Sequence, residues 1–343
     1  MHIMENSISS NGTDYIHSDR TPGINRPFGN FTLRVSTLGL VIYVGVYTLV
    51  ILFSVLGNSM VINAFIRAKS FCRVHSYFIA GLAVADFLTG LIAIPCAMFA
   101  RIVVSPLTCY EETRDYFFAP AVIFCSVSVF HLIAIAINRY IAISKPLKYS
   151  TIMNPCNCKV IIVAMWCVGI AFGLLPILSK EETVQKSWVC DTDRYRSSAV
   201  IAHRIVTSLI IPTFMLFLSL IYVRIFYLAY KCKWDATKTY TIASRPSVAQ
   251  VHRKSRSTWH IKTTVTSAII LAVFAVCWLP HSFEFLFEVF TRSKDNSLFV
   301  FIVITETLGF SNSFANPIIY GFRNRAFRNA CREFIDGFRF NRS

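Results

Sequence analysis

Ser76-Tyr77-Phe78-Ile79-Ala80-Gly81-Leu82-Ala83-Val84-Ala85-Asp86-Phe87-Leu88-Thr89-Gly90-Leu91-Ile92-Ala93-Ile94-Pro95 is the stretch on which the fold turns. It belongs to an apolar run over residues 75–101, longer than the roughly 20 residues that a helix needs to cross a bilayer. Asp86 is the one acidic side chain in that run. A lone carboxylate in hydrocarbon is strongly disfavoured. Asp86 therefore needs a cation, a proton or several hydrogen-bond donors. The stretch predicts a membrane-spanning helix that packs inside a bundle.

Six further apolar runs lie at residues 38–67, 116–144, 160–178, 198–230, 261–290 and 298–322. A helix satisfies its own backbone polar groups in lipid, and runs this continuously apolar do not read as the alternating strands of a barrel. Composition agrees. Of 343 residues, 55% are hydrophobic and only 15% charged. A soluble domain carries about 25% charge, so the apolar excess must face lipid. The same balance excludes a disordered chain, a disulfide-rich miniprotein and a collagen-like fibre. The expectation is an all-α membrane protein, a seven-transmembrane helix bundle. Residues 1–37 form an extracellular segment, 38–322 the helical domain, and 323–343 a cytoplasmic amphipathic helix with a short tail.

The net charge of +16 then specifies topology. With the N-terminus outside, the inner connections, helix ends and tail hold 22 Lys and Arg against three acids, Asp235, Glu333 and Asp336. The other 12 basic residues face 15 acids. By the positive-inside rule the N-terminus is extracellular and the C-terminus cytoplasmic. Nucleic acid, which such a charge would suggest in a soluble protein, is not expected as a partner. The inner connection at residues 231–260 reads as a solvated basic loop lying against anionic lipid.

After the seventh run, Phe327, Cys331, Phe334, Ile335 and Phe338 recur at helical spacing, with basic residues on the other face. This reads as a short interfacial helix. Cys331 is a lipidation candidate, and equally a plain cysteine on the apolar face. Of the 11 cysteines only Cys109 and Cys190 fall in outer connections, which makes them the disulfide candidates by elimination. Asn11-Gly12-Thr13 and Asn30-Phe31-Thr32 are glycosylation sequons on the outer side.

Other polar residues in the spans are Asn58, Ser126, Ser128, Asn312, Ser313 and Asn316. Asn58, Ser128, Asn312 and Asn316 are the candidates to surround Asp86, either as a polar nest or together with a bound sodium ion. Pro95, Pro176, Pro212, Pro280 and Pro317 stand inside spans and favour kinks. Trp278 precedes Pro280, with Phe274 one turn earlier, so both can repack as that helix pivots.

Asn58, Leu82–Asp86, Asn138-Arg139-Tyr140, Trp166, Cys277-Trp278-Leu279-Pro280 and Asn316-Pro317-Ile318-Ile319-Tyr320 stand in successive spans. In this order they resemble the rhodopsin-like (class A) G-protein-coupled receptors. Leu91–Pro95, Leu132–Ile143, Pro146–Tyr149, Tyr222–Phe226 and Ser311–Ser313 are similar to the adenosine receptors in particular.

The resemblance implies that an outer ligand drives a pivot of the sixth span near Pro280. Asn138, Arg139, Tyr140, Tyr222, Phe274, Trp278, Asn316, Pro317 and Tyr320 would take part in activation and coupling. Leu147 would dock on a heterotrimeric G protein. Arrestin and a receptor kinase are further implied partners, beside membrane lipids. Asp86, Ser128, Asn312 and Asn316 resemble the family's sodium site; no other cofactor is expected. The implied location is the plasma membrane.

The ligand-facing positions depart from the relatives. Phe285 and Phe310 stand where adenosine receptors have Asn and His, and Thr192-Asp193 where they have Phe-Glu. Ala121 stands where aminergic receptors have Asp, with Val122 and Cys125 beside it. Glu284, Glu288 and Glu306 lie among phenylalanines in the outer halves of spans six and seven. Acids beside aromatics suit a small amine-bearing ligand through charge pairing and cation–π contact. Arg101, Arg114 and Arg204 are the competing partners for those acids. Asn138 replaces the family's Asp, and His260 stands where some members carry an acid facing Arg139. Appreciable ligand-free signalling is the expectation.

Two other readings exist. One is an adenosine or nucleoside receptor with an atypical pocket, the other an ion channel or transporter. A seven-helix enzyme is not expected: His131 has no catalytic partner in the sequence, and neither GxSG nor HExxH occurs.

Overall fold

Seven long helical segments stand among the described residues, and each tracks one of the apolar runs. The computed structural model describes residues 37–67, 74–104, 111–178, 198–242, 247–284, 296–323, 327–329 and 332. Contacts divide the chain into Met1–Thr32, which lies outside the described residues, and Leu33–Ser343, which holds every helix below.

The helices are α1 (Thr37–Arg67), α2 (74–104), α3 (Glu111–Ser144), α4 (Pro155–Leu178), α5 (Ser198–Ile242), α6 (Val248–Ser282) and α7 (Asn296–Arg323). Most neighbours in sequence are neighbours in space. α1 packs on α2, α2 on α3, α3 on both α4 and α5, α5 on α6, α6 on α7, and α7 returns to α1. α2 is the most enclosed of the helices, and α1 and α4 present most of their surface outward.

Among the described residues, six of these helices, α1 to α6, are long and apolar enough to cross a membrane. α7 carries the polar residues Glu306, Asn312 and Asn316 within its apolar run, and all three are buried.

Two local features of α2 escape a reading of hydrophobic runs. Thr89–Ala93 and Ala100–Val104 are π-helical turns. Pro95 explains the first: it has no N–H to offer the turn before it, and its ring crowds that turn, so the backbone widens. A π turn takes in an extra residue and rotates the rest of the helix by roughly 100° on a 3.6-residue repeat. The Arg101 end of α2 therefore faces a different direction from that of an uninterrupted helix.

The inner connection differs from the loop expected at residues 231–260. α5 continues to Ile242 and α6 begins at Val248. Residues 231–242 contain neither Gly nor Pro, so nothing stops the helix where its apolar run ends. Ser247 starts α6 with a reciprocal cap: Gln250 N–H donates to Ser247 Oγ (3.3 Å), and Ser247 N–H donates to Gln250 Oε1 (2.7 Å). Lys254 Nζ lies 3.8 Å from the Tyr240 ring centroid and ties the two extensions together.

A four-residue helix, Tyr149–Ile152, comes after α3. Asn154 then caps α4 by accepting from Asn157 N–H (2.8 Å), with Pro155 at the first helical position, where no N–H is needed. Beyond Arg323 only Phe327–Asn329 and Arg332 are described, so most of the expected amphipathic helix, with Cys331, lies outside the described residues. So do Asn11, Asn30, Cys109, Cys190, Phe285 and Glu288.

α3 and α4 approach closely at glycines. A Cβ on Gly173 would run into the Ile123 side chain and stand 3.0 Å from the Ile123 backbone N. Gly45 on α1 has nothing within 4 Å of such a Cβ. Gly173→Ala is expected to destabilise the bundle by about 1–3 kcal/mol through overpacking. Gly45→Ala is expected to be neutral or slightly stabilising, since Gly costs a helix about 0.5–1 kcal/mol. Thermal unfolding of the two variants in detergent checks this, and equal midpoints would contradict the close α3–α4 packing.

Candidate functional site

Three polar clusters are stacked along the bundle. The central one is built around Asp86, 1% exposed. Ser128 Oγ on α3 donates to Asp86 Oδ1 (3.1 Å) and Asn316 Nδ2 on α7 donates to Oδ2 (2.8 Å). Ser54 Oγ on α1 donates to the Asp86 backbone carbonyl (2.9 Å). Asn58 Nδ2 donates to the Ser54 and Ser313 carbonyls, each at 2.8 Å, and straps α1 to α7. Gly57 makes room for this contact, since a Cβ there would stand 3.0 Å from the Pro317 ring. Asn58 Oδ1, Asn312 Oδ1 and Asn316 Oδ1 are buried without a hydrogen-bond partner among the described residues. Unspent amide oxygens in a site that also holds a carboxylate are the donor chemistry that a small hard cation takes. A sodium ion fits these residues. Among the described residues there is no His, Cys, Asp and Glu grouping of the kind that holds a transition metal.

A second cluster lies where Arg101 of α2 meets α7. Glu306, 6% exposed, accepts on Oε2 from Arg101 Nη2 (2.8 Å), Arg101 Nε (2.9 Å) and Tyr47 hydroxyl (3.4 Å). Aromatic rings wall the pair. Tyr43 and Tyr47 have centroids 4.4 Å apart, Phe310 meets Tyr47 edge-on at 6.1 Å, and the guanidinium lies 5.7 Å from the Phe118 centroid. Ala121 and Phe310 pack with Tyr47 in one buried apolar group. Cys125 is half-buried, and Val122 is partly exposed and outside that group. Glu284 lies on the α6 side, 2.9 Å from His281 Nδ1. Trp278 links this level to the centre: it stacks on Phe274 (6.2 Å), meets His281 edge-on (5.8 Å) and packs on Gly309 of α7. Pro280 lies within this stretch of α6.

The third cluster is at the opposite end. Arg139 is buried, with Tyr149, Tyr222 and Tyr320 in electrostatic reach. Tyr149 hydroxyl donates to Asn138 Oδ1 (3.0 Å). Tyr140, by contrast, is partly exposed. Tyr320 meets Phe327 edge-on at 6.3 Å. Leu147, between α3 and the short helix, is 96% exposed.

Sequence reasoning named Asp86, Ser128 and Asn316, and the structure brings them together. It missed Ser54, Tyr43, Tyr47 and the role of Tyr149. Serines and tyrosines are common in spans, and nothing in their spacing marks which ones turn inward. Arg101 was legible only as a competing partner for the acids; the structure gives it Glu306.

Known proteins resemble the chain along most of its length. The family described as 7 transmembrane receptor (rhodopsin family) matches residues 57–320. The adenosine receptor A2a of Canis lupus familiaris is 30% identical over 318 residues, covering 88% of this chain and 74% of that receptor. The adenosine receptor A2a of Homo sapiens is 29% identical over 315 residues, covering 87% and 73%. That of Cavia porcellus is 29% identical over 311 residues, covering 86% and 72%. With the polar positions of the bundle occupied as described, the chain is a multi-pass membrane receptor of the rhodopsin family, similar to adenosine receptors and not an enzyme.

Proposed function

We propose that this receptor sits in the plasma membrane with its N-terminus outside and all seven long helices crossing. In this reading it binds an extracellular ligand and activates a heterotrimeric G protein by outward movement of α6. The observation that carries this is the buried Arg139 with Tyr149, Tyr222 and Tyr320 around it, at the end where α5 and α6 run on beyond their apolar zones. Those tyrosines can exchange partners when α6 moves. Leu147, almost fully exposed, offers an apolar knob to the G protein. Asn138, Arg139, Tyr222, Asn316, Pro317 and Tyr320 line the path from the Asp86 cluster to that end.

The ligand acts by binding the active arrangement better than the inactive one, and it shifts the balance only by that difference. α6 pivots near Pro280, where the missing N–H weakens the helix. The stacked Phe274 and Trp278 repack as it does. Asp86, Ser128, Asn312 and Asn316 would hold a sodium ion that favours the inactive state. Phe327 against Tyr320 would seat the interfacial helix, with Cys331 as its lipid anchor and anionic lipid against the basic inner face. Cys109–Cys190 as a disulfide, glycans on Asn11 and Asn30, and regulation by a receptor kinase and arrestin complete the reading.

Glu306 and Glu284 amid aromatic rings support a small amine-bearing ligand, with Phe285 and Glu288 assigned to the same mouth. The adenosine-receptor relatives support a nucleoside instead. Phe310 in place of their His removes a polar contact that such a ligand would use.

A cAMP assay in cells expressing the full chain tests coupling directly. Asn138→Asp places a carboxylate beside Arg139 and is expected to lower ligand-free signalling severalfold at equal surface expression. One well-placed charge-assisted contact is worth about 1.5–3 kcal/mol. Wild-type cells without ligand-free signal would refute the expectation. Replacing sodium by choline at constant ionic strength is expected to lower the thermal midpoint of purified receptor by a few degrees, as loss of a ligand bound well above its Kd removes about 1–3 kcal/mol. Asp86→Asn should abolish that difference; a wild-type midpoint indifferent to sodium would remove the ion from the site.

A further inference from the structure

The Arg101–Glu306 pair decides more about the ligand than Glu306 alone. All three bonds to the Glu306 carboxylate converge on Oε2. Among the described residues no partner reaches Oε1, although the side chain is only 6% exposed. Arg101 grips side-on with Nε and Nη2, and no described partner reaches Nη1. The Tyr43 hydroxyl lies beside them against Tyr47. One acceptor atom and one donor atom without a described partner thus lie among the rings of Tyr43, Tyr47, Phe118 and Phe310.

Charge balance limits what can enter. A simple amine that took Glu306 would set a second cation beside Arg101 with one carboxylate to share, in a medium that screens poorly. A simple carboxylate would leave two anions around one guanidinium. A molecule carrying both charges gives its ammonium to Glu306 Oε1 and its carboxylate to Arg101 Nη1, and the group stays neutral. Glu284 and His281 lie on the α6 side, with the same acid–base pairing between themselves, and do not alter that count when His281 is protonated. Guanidinium–carboxylate contacts are the strong, directional kind.

We propose that Arg101 and Glu306 together read a zwitterion, and that the ligand class is an aromatic α-amino acid or a compound with the same head group. This rests on the reading of Glu306 as the amine contact and adds an anionic contact at Arg101.

The test uses the full receptor in cells, with surface expression measured and cAMP read out. The probes are phenylalanine and tyrosine, the matching amines phenethylamine and tyramine, and phenylpropionate. In the wild type the amino acids should be about tenfold or more as potent as the amines, the loss expected for one charge-assisted contact. Arg101→Gln should remove that preference by weakening the amino acids and leaving or raising the potency of the amines. Glu306→Gln should weaken both. Amines equal to or better than amino acids in the wild type would overturn the zwitterion and leave the amine reading standing. Phenylpropionate active alone, with Glu306→Gln without effect, would overturn both. Silence toward all five probes, in cells where Asn138→Asp alters ligand-free signal, would also overturn both. A response lost in Glu284→Gln and kept in Glu306→Gln would move the amine contact to α6 and overturn the pair.

Discussion

A carboxylate at the centre of an apolar helix is the constraint around which this bundle is organised. Asp86 cannot be left bare in a low dielectric, and its side-chain hydrogen bonds come from other helices. The donors stand on α3 and α7, and α1 grips the adjacent backbone carbonyl through Ser54. Satisfying one side chain therefore fixes the depth and rotation of three other helices. Asn58 extends the same logic by bonding carbonyls of α1 and α7 with one amide group.

The two ends of the bundle solve the same electrostatic problem differently. At the Arg101 end a cation is matched by an anion, Glu306, and both are sheltered by rings. At the Arg139 end Tyr149, Tyr222 and Tyr320 stand within electrostatic reach of the guanidinium, and Asn138 Oδ1 accepts from Tyr149. A matched pair resists rearrangement unless something replaces both charges. Between the two ends, near Pro280 of α6, Trp278 stacks on Phe274 and touches Gly309 of α7 with no Cβ between.

Much of this was legible in the chain. Hydropathy located the helices, and Asp86, Ser128 and Asn316 announced themselves as polar groups where lipid forbids them. Helix ends were less legible. α5 and α6 outrun their apolar runs because helix formation needs only compatible residues, and hydropathy marks where lipid ends rather than where the helix does. The π turns of α2 were hidden because the cause of the first, Pro95, also fits an ordinary kink. The four-residue helix after α3 is too short for any periodic signal.

The sequence by itself determined that the chain crosses a membrane repeatedly, with its basic side segregated, and that its motifs are those of a rhodopsin-family receptor. Hydropathy, charge and motif order are properties of the chain read in line. Only the tertiary structure decided which atoms meet. Ser128 and Asn316 reach Asp86 from 42 and 230 residues away, and Arg101 reaches Glu306 across 205. Such contacts depend on the rotation and depth of separate helices, which a one-dimensional pattern leaves open and close packing settles.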